Sequence, residues 1–225
     1  MKQSADGTRR APLSRERVLR AAVAFADGAG TDAISMRKLA QELGVVPMAL
    51  YKHVANKDEL LDGMVDLVVG EIGPPGEGGW QPTMRARVLA ARRVLLRHPW
   101  AAGVIQSRTS PTPAVLGYLD SMAGLFRTGG FSVGLTHHAM HAMGSRLLGF
   151  SQELFDDTAA TPDPAVLRQL ARAYPHIAEI AGAAGHDEAS TVGGCDDQAE
   201  FEFALDLLLD GLERLRAAEQ VAQER

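Results

Sequence analysis

Apolar residues recur every three or four positions along most of the chain, a spacing that predicts helices and an all-α fold. Val18, Leu19, Ala22, Val23 and Ala26 form one stripe that opens at Ser14 and stops at Gly28-Ala29-Gly30. Met36, Leu39, Ala40 and Leu43 form the next, with Ser35 ahead of them as an N-cap. Gly44 follows, where a left-handed C′ position costs glycine nothing. Pro47 suits the first turn of a new helix, Ala40 permits a close crossing, and Leu50 can fill the corner. A small residue, a glycine turn and an apolar residue in the second helix make a helix-turn-helix pattern. Asn56 and Glu59 then form a capping-box pair for a helix to about Ile72, with Leu60, Leu61, Met64 and Leu67/Val68 on its packing face. Its first half is expected in the head and its second half in the body.

Gly73 to Gly79, GPPGEGG, reads as a linker and lacks the Gly-Lys-Ser/Thr ending of a phosphate loop. Helices are expected over about 83–97, briefly after Pro99, and over about 114–128 beyond Pro111 and Pro113. From Ser132 to about Phe155, Met140, Met143, Leu147, Phe150 and Leu154 align on one side. His137, His141, Ser145 and Leu148 align on another. A break at 160–164 precedes a helix that Pro175 interrupts, and 182–195 is loose and rich in small residues. The last helix, about 197–217, carries a core stripe of Phe201, Ala204, Leu205, Leu208, Leu212 and Leu215. A second, narrower stripe is Phe203, Leu207 and Gly211, with Glu202, Asp206, Asp210 and Glu213 facing water between the two. Two apolar faces need two partners, and a homodimer is the economical second one.

Composition changes this picture in two ways. At 5% aromatic residues the core is expected to be aliphatic. The net charge of −5 argues against nucleic acid until its distribution is considered. Residues 1–57 hold ten Lys/Arg against five Asp/Glu, a net of +5, which leaves −10 for the remainder. A basic head on an acidic body confines phosphate attraction to one end. The single cysteine, Cys195, excludes an internal disulfide. The polar N-terminus carries no apolar signal segment, and the uncharged stretch 128–145 holds three histidines, against a membrane span. A soluble, cytoplasmic protein is expected.

Arg37, Lys38, Lys52, His53 and Lys57 cluster with Tyr51 on or beside the motif. Such groups bind phosphate oxygens and set register, while the second helix meets base edges. A solvated face on an ordinary helical hairpin is the competing reading. The runs RKLAQELGV and ALYKHVANKDELLD resemble the DNA-binding domain of the tetracycline-repressor family of bacterial regulators. Trp80-Gln81, His98-Pro99-Trp100 and the GGF at 129–131 resemble the helical C-terminal domain of the tetracycline-repressor branch itself.

Residues 1–13 are polar and are expected to form a disordered arm. The resemblance implies a three-helix DNA-binding domain over 14–62 and a helical ligand-binding and dimerisation domain over 63–225. Its DNA surface would comprise Ser35, Arg37, Lys38, Pro47, Met48, Ala49, Tyr51, Lys52, His53 and Lys57. Arg37 matches a base-reading position; Tyr51, His53 and Lys57 match backbone-contacting ones. Lys52 replaces a usual aromatic residue. Met48 and Ala49 replace polar readers, which favours thymine methyl groups.

For the effector, family-like positions and the polar stripe suggest Arg87, Ile105, Arg108, Met122, His141, Ser145 and Phe150. Ile105 and Ser145 stand where the branch has drug-binding histidines, and Met122 replaces an amide. Only Glu153 matches, so tetracycline–magnesium recognition is not expected, and a largely apolar effector is. His137, His138 and His141 invite a metal reading, but no cysteine joins them and a polar stripe is preferred. No cofactor, metal or catalytic residue is assigned. The expected function is a repressor released from a palindromic operator by that effector. A DNA-binding regulator without an effector, or a metal-dependent hydrolase on the histidines, are the alternatives.

Overall fold

A computed structural model describes residues 12–149, 164–176, 178–179 and 197–223. The arm residues Arg9 and Arg10, as well as Phe150, Glu153, Leu154 and Cys195, lie outside the described residues. All regular structure among the described residues is helical. The chain divides into two compact units, one through Thr136 and one from His137.

In the first unit, α1 (Arg15–Ala29) opens on Ser14, whose Oγ accepts the Arg17 N–H, and buries Val18, Leu19, Ala22 and Ala26. Helix α2 (Met36–Leu43) repeats the device with Ser35 and the Lys38 N–H. It ends on Gly44 at φ 66°, ψ 37°, the left-handed conformation that the sequence predicts there. Helix α3 (Pro47–Leu50) starts on proline and buries Leu50 completely against Leu39, Ala40 and Leu43 in one core cluster. Helix α4 (Lys57–Gly70) is capped by Asn56, whose Oδ1 accepts the Glu59 N–H at 2.8 Å. The Glu59 carboxylate reaches one residue further back than a standard capping box and accepts the Ala55 N–H at 2.7 Å. Gly63 lets α1 and α4 meet: a Cβ there would lie 2.7 Å from Leu19 Cδ2.

Helix α4 joins two layers, as expected. Leu60, Leu61, Met64 and Val65 belong to the core of α1–α3, while Val68 packs with Val94 and Ala101. Helix α5 (Trp80–Arg97) begins one turn earlier than the sequence suggests, because Pro82 falls in its first turn, where no N–H is needed. Helices α6 (Trp100–Ser107) and α7 (Pro113–Thr128) pack on α4 and α5. The GGF segment has a steric reason. A Cβ on Gly129 would sit 2.7 Å from Trp80 Cβ, and Trp80, Phe126 and Phe131 stack with centroids 4.7–5.9 Å apart. At the HPW corner, His98 Nδ1 lies 2.8 Å from Asp27 Oδ1, and Trp100 Nε1 donates to the same oxygen at 2.7 Å. Glu71, on the α4 cap, accepts from Arg97 at 2.8 Å and lies 3.4 Å from His98 Nε2. The corner thus ties the ends of α1, α4 and α5 together.

Helix α8 (Val133–Gly149) bridges the two units in sequence; α9 (Pro164–Ala173) and α10 (Asp197–Gln223) lie in the second. Tyr174 breaks the helical run immediately before Pro175. Arg146 of α8 donates to the Glu200 carbonyl at 2.8 Å and lies over the Phe201 ring, which fastens α8 to α10. Helix α10 runs to Gln223, beyond the expected end near Ala217. Its buried stripe is Phe201, Leu205, Leu209 and Leu212. Leu209 therefore takes the place expected for Leu208, which is half-buried, and Leu215 is exposed. Phe203 and Leu207, at 64% and 55% exposure, form the second apolar face without a partner in the single chain. Glu202, Asp206 and Glu213 are half-buried rather than fully in water.

Candidate nucleic-acid interface and effector site

The motif presents its polar side outward because its apolar side is consumed by the α1–α4 core. Ser35, Arg37, Lys38, Pro47, Met48, Tyr51, Lys52 and Lys57 are exposed; Ala49 and His53 are half-buried. Two cations are oriented by backbone carbonyls. Lys38 Nζ donates to Ala33 O at 3.2 Å and Lys57 Nζ to Thr31 O at 3.1 Å, so both ammonium groups stand beside the loop between α1 and α2. Val46 and Met48 are 67% and 71% exposed on either side of Pro47. Val46 is a residue that sequence reasoning passed over. The available signal is an apolar side chain in a two-residue turn, where burial is not required.

The expected effector residues do not gather at one point. Arg108 pairs with Asp58 at 3.2 Å and Asp62 at 3.4 Å, on the first turns of α4. Ile105 packs against the α1–α4 core beside Val104. Arg87 stands at the other end of α4, where its Nη1 donates to Gly73 O at 2.8 Å. With 1.5 Å of rise per residue, the two arginines address points roughly 15–20 Å apart along α4. Met122 is buried on α7, one position from Ser121, whose Oγ accepts from Arg87 Nη2 at 2.6 Å. Arg87 and Met122 are therefore neighbours in the first unit. His141 and Ser145 are exposed on α8 in the second unit, and Phe150 lies outside the described residues. The His137 and His141 rings stand 4.7 Å apart on the exposed face of α8. No group of three or more potential metal ligands forms among the described residues.

Arg87 is buried, at 7% exposure, and its guanidinium lies 4.7 Å from the centroid of the Tyr118 ring. Desolvation lowers its pKa, countered by Tyr118. Burial pushes the Tyr118 phenol up to about 12, against the pull of Arg87, so the phenol is neutral at pH 7. No helix among the described residues is long and apolar enough to cross a membrane.

Comparison with known proteins finds two family matches along the chain. Residues 18–64 match the family described as bacterial regulatory proteins, tetR family. Residues 72–216 match the tetracyclin repressor-like C-terminal domain. The HTH-type transcriptional repressor DrrR1 of Streptomyces coeruleorubidus is 32% identical over 221 residues, covering 95% of this chain and 80% of its own. The class D tetracycline repressor protein of Escherichia coli is 32% identical over 157 residues, 68% of this chain and 72% of its own. The Streptomyces coelicolor TetR family protein ActR, solved in complex with actinorhodin, superposes with a TM-score of 0.68 at 27% identity, covering 92% of this chain and 99% of its own. Two matched domains across most of the chain, in the order the helices predict, carry one conclusion: the chain belongs to the tetracycline-repressor family of transcriptional regulators.

Proposed function

We propose that this protein is a homodimeric repressor that holds a palindromic operator with residues 14–62 and releases it when a small molecule enters the helical domain over 63–225. The observation that carries the reading is the exposed α2–α3 face, where unburied cations flank an unburied apolar pair. Arg37 reads a guanine edge through its guanidinium. Met48, Ala49 and Val46 meet thymine methyl groups, and Pro47 sets the angle of α3. Ser35, Lys38, Tyr51, Lys52, His53 and Lys57 contact the phosphate backbone. The dimer forms through α8 and the Phe203–Leu207–Gly211 face of α10. The reading contains no catalytic step and places the protein in the cytoplasm.

The likeness to DrrR1, a repressor, and to ActR, crystallised with actinorhodin, supports both the repression and the small-molecule effector. Successive major grooves on one face of DNA lie roughly 34–36 Å apart, so a small pivot of α4 breaks the match of two heads to one duplex. The effector must prefer the non-binding state, and a coupling of about 2–3 kcal/mol releases most of the protein. Selection from random DNA by the purified protein tests the operator: a two-fold symmetric site with half-sites about one helical turn apart is expected. Enrichment of an asymmetric single site, or of none, contradicts the dimeric reading. A screen of small molecules for loss of operator anisotropy tests the switch.

A further inference from the structure

Arg87 holds a full positive charge in the body with no acidic partner among the described residues. Its ring of neighbours is neutral: the Gly73 carbonyl, the Ser121 hydroxyl and the face of Tyr118. No carboxylate among the described residues pairs with it. Its Nε, the Tyr118 hydroxyl and the Thr83 hydroxyl are buried without a hydrogen-bond partner. Thr83 lies one turn before Arg87 on the same face of α5, and Tyr118 stacks on the guanidinium, so at least two of the orphaned groups adjoin the charge. Arginine stays protonated in proteins, and a buried charge without a counter-charge is retained at a cost. The neighbouring phenol stays neutral and cannot supply the missing charge. Ser121 is already committed as a donor to Tyr118 O at 2.8 Å, so it serves Arg87 only as an acceptor.

We propose that Arg87 is the receptor for an acidic group on the effector, a carboxylate or an equally acidic enol or phenol carried by an otherwise apolar molecule. The inference rests on the reading of the helical body as the effector domain and adds the chemical class to it. A carboxylate accepts two parallel N–H bonds from a guanidinium edge, and the free Nε is one of the two donors such a pair requires. The Tyr118 and Thr83 hydroxyls are donors available to the same acid. A carboxylate on the edge that Nε shares with Nη2 takes over the Ser121 contact, neutralises the charge and so weakens the bond that Nη1 gives the Gly73 carbonyl, a neutral acceptor. Gly73, at φ 74°, is the second residue beyond the α4 cap. Through the Gly73 carbonyl, Arg87 straps this end of α4. An acid that takes the guanidinium unstraps the end of α4 opposite the DNA-binding head.

The test uses the full-length protein and paired probes that differ only in charge: anthraquinone-2-carboxylate with its primary carboxamide, and anthracene-2-carboxylate with its carboxamide. Titration by tryptophan fluorescence at pH 7.5 should show each acid binding about tenfold or more tighter than its amide. Arg87→Gln should reduce that preference to less than about twofold, and Arg87→Lys, which keeps the charge, should restore part of it. Circular dichroism establishes that both variants are folded, and the acid-to-amide ratio in the unaltered protein needs no variant. Faster amide exchange at residues 72–79 should accompany the acids and not the amides. Equal affinity for acid and amide, a preference that survives Arg87→Gln, or failure of all four probes to bind at millimolar concentration overturns the inference. Operator anisotropy separates it from the proposed switch. Acids that bind through Arg87 without releasing DNA uphold acid recognition and refute the switch. Amides that release DNA as well as acids do the reverse.

Discussion

The same chemical group is put to opposite uses at the two ends of α4. In the head, Arg37, Lys38 and Lys52 stand in water on helices whose apolar sides fill the α1–α4 core. Their charge is hydrated, costs little to hold, and is available to any phosphate that approaches. In the body, Arg87 has lost its water and gained only neutral partners among the described residues. The head cations are individually weak and collectively salt-dependent, whereas Arg87 is a single, specific demand for a counter-charge. Solvation, more than residue type, separates a surface suited to any phosphate backbone from a position that demands one counter-charge.

The largest effect is expected where both ends are coupled to a second copy. Leu207 is exposed in the single chain, so Leu207→Arg leaves the monomer's core intact and places a charge at the proposed dimer face. Sedimentation should show a helical monomer, and operator binding should fall by about two orders of magnitude or more, since one head reads only half a palindrome. A dimer that persists in this variant moves the interface off α10.

The buried side has its own signature in alkali. Folding raises the Tyr118 pKa from 10 to about 12, so between these values the unfolded chain loses a proton that the native chain keeps. The associated stability is complete below pH 10 and falls as pH rises toward 12, by on the order of 2–3 kcal/mol. Tyr118→Phe removes this loss. At pH 7 the variant should be as stable as the parent or slightly more so, because the phenol hydroxyl it deletes has no partner. Denaturant melts of both proteins at pH 7, 10 and 11 measure the difference, and parallel losses in both would mean that the phenol is not desolvated as described.

On the exposed side, Arg37→Ala should cost about 1–3 kcal/mol on the preferred operator and relax preference at one base pair per half-site. Competition with single-base operator variants reads this directly. Uniform weakening on all of them would make Arg37 a phosphate contact. The smallest effect is expected for Lys57→Ala. Its ammonium is held at the Thr31 carbonyl, and its loss should weaken every sequence alike and lower the salt slope by about one per head. A changed base preference with an unchanged slope would exchange the roles of the two residues.

Local chemistry made the head legible in the sequence. Ser14, Ser35 and Asn56 each satisfy a nearby amide, Gly44 adopts a left-handed turn, and Pro47 opens a helix, all within four residues of chain. Such features need no knowledge of the rest of the molecule, and helix starts follow from them. Periodicity was less decisive on α10. Leu207, Leu208 and Leu209 are consecutive, so spacing admits more than one stripe, and packing buried Leu209 while leaving Leu207 exposed. The GGF segment was a resemblance until Trp80, nearly fifty residues away, supplied the contact that a Cβ on Gly129 would violate.

The effector residues divide the same way. Nothing in the sequence around Arg87 or Arg108 distinguishes one arginine from the other. Tertiary structure set Arg108 against Asp58 and Asp62 and left Arg87 among a carbonyl, a hydroxyl and an aromatic face. By itself the sequence determined the helices, their caps and the basic head, because these depend on groups a turn or two apart. Which cation keeps its water, which finds an acid and which is buried with neither depends on segments brought together from 14 to 50 residues away, and only the packed chain decides it.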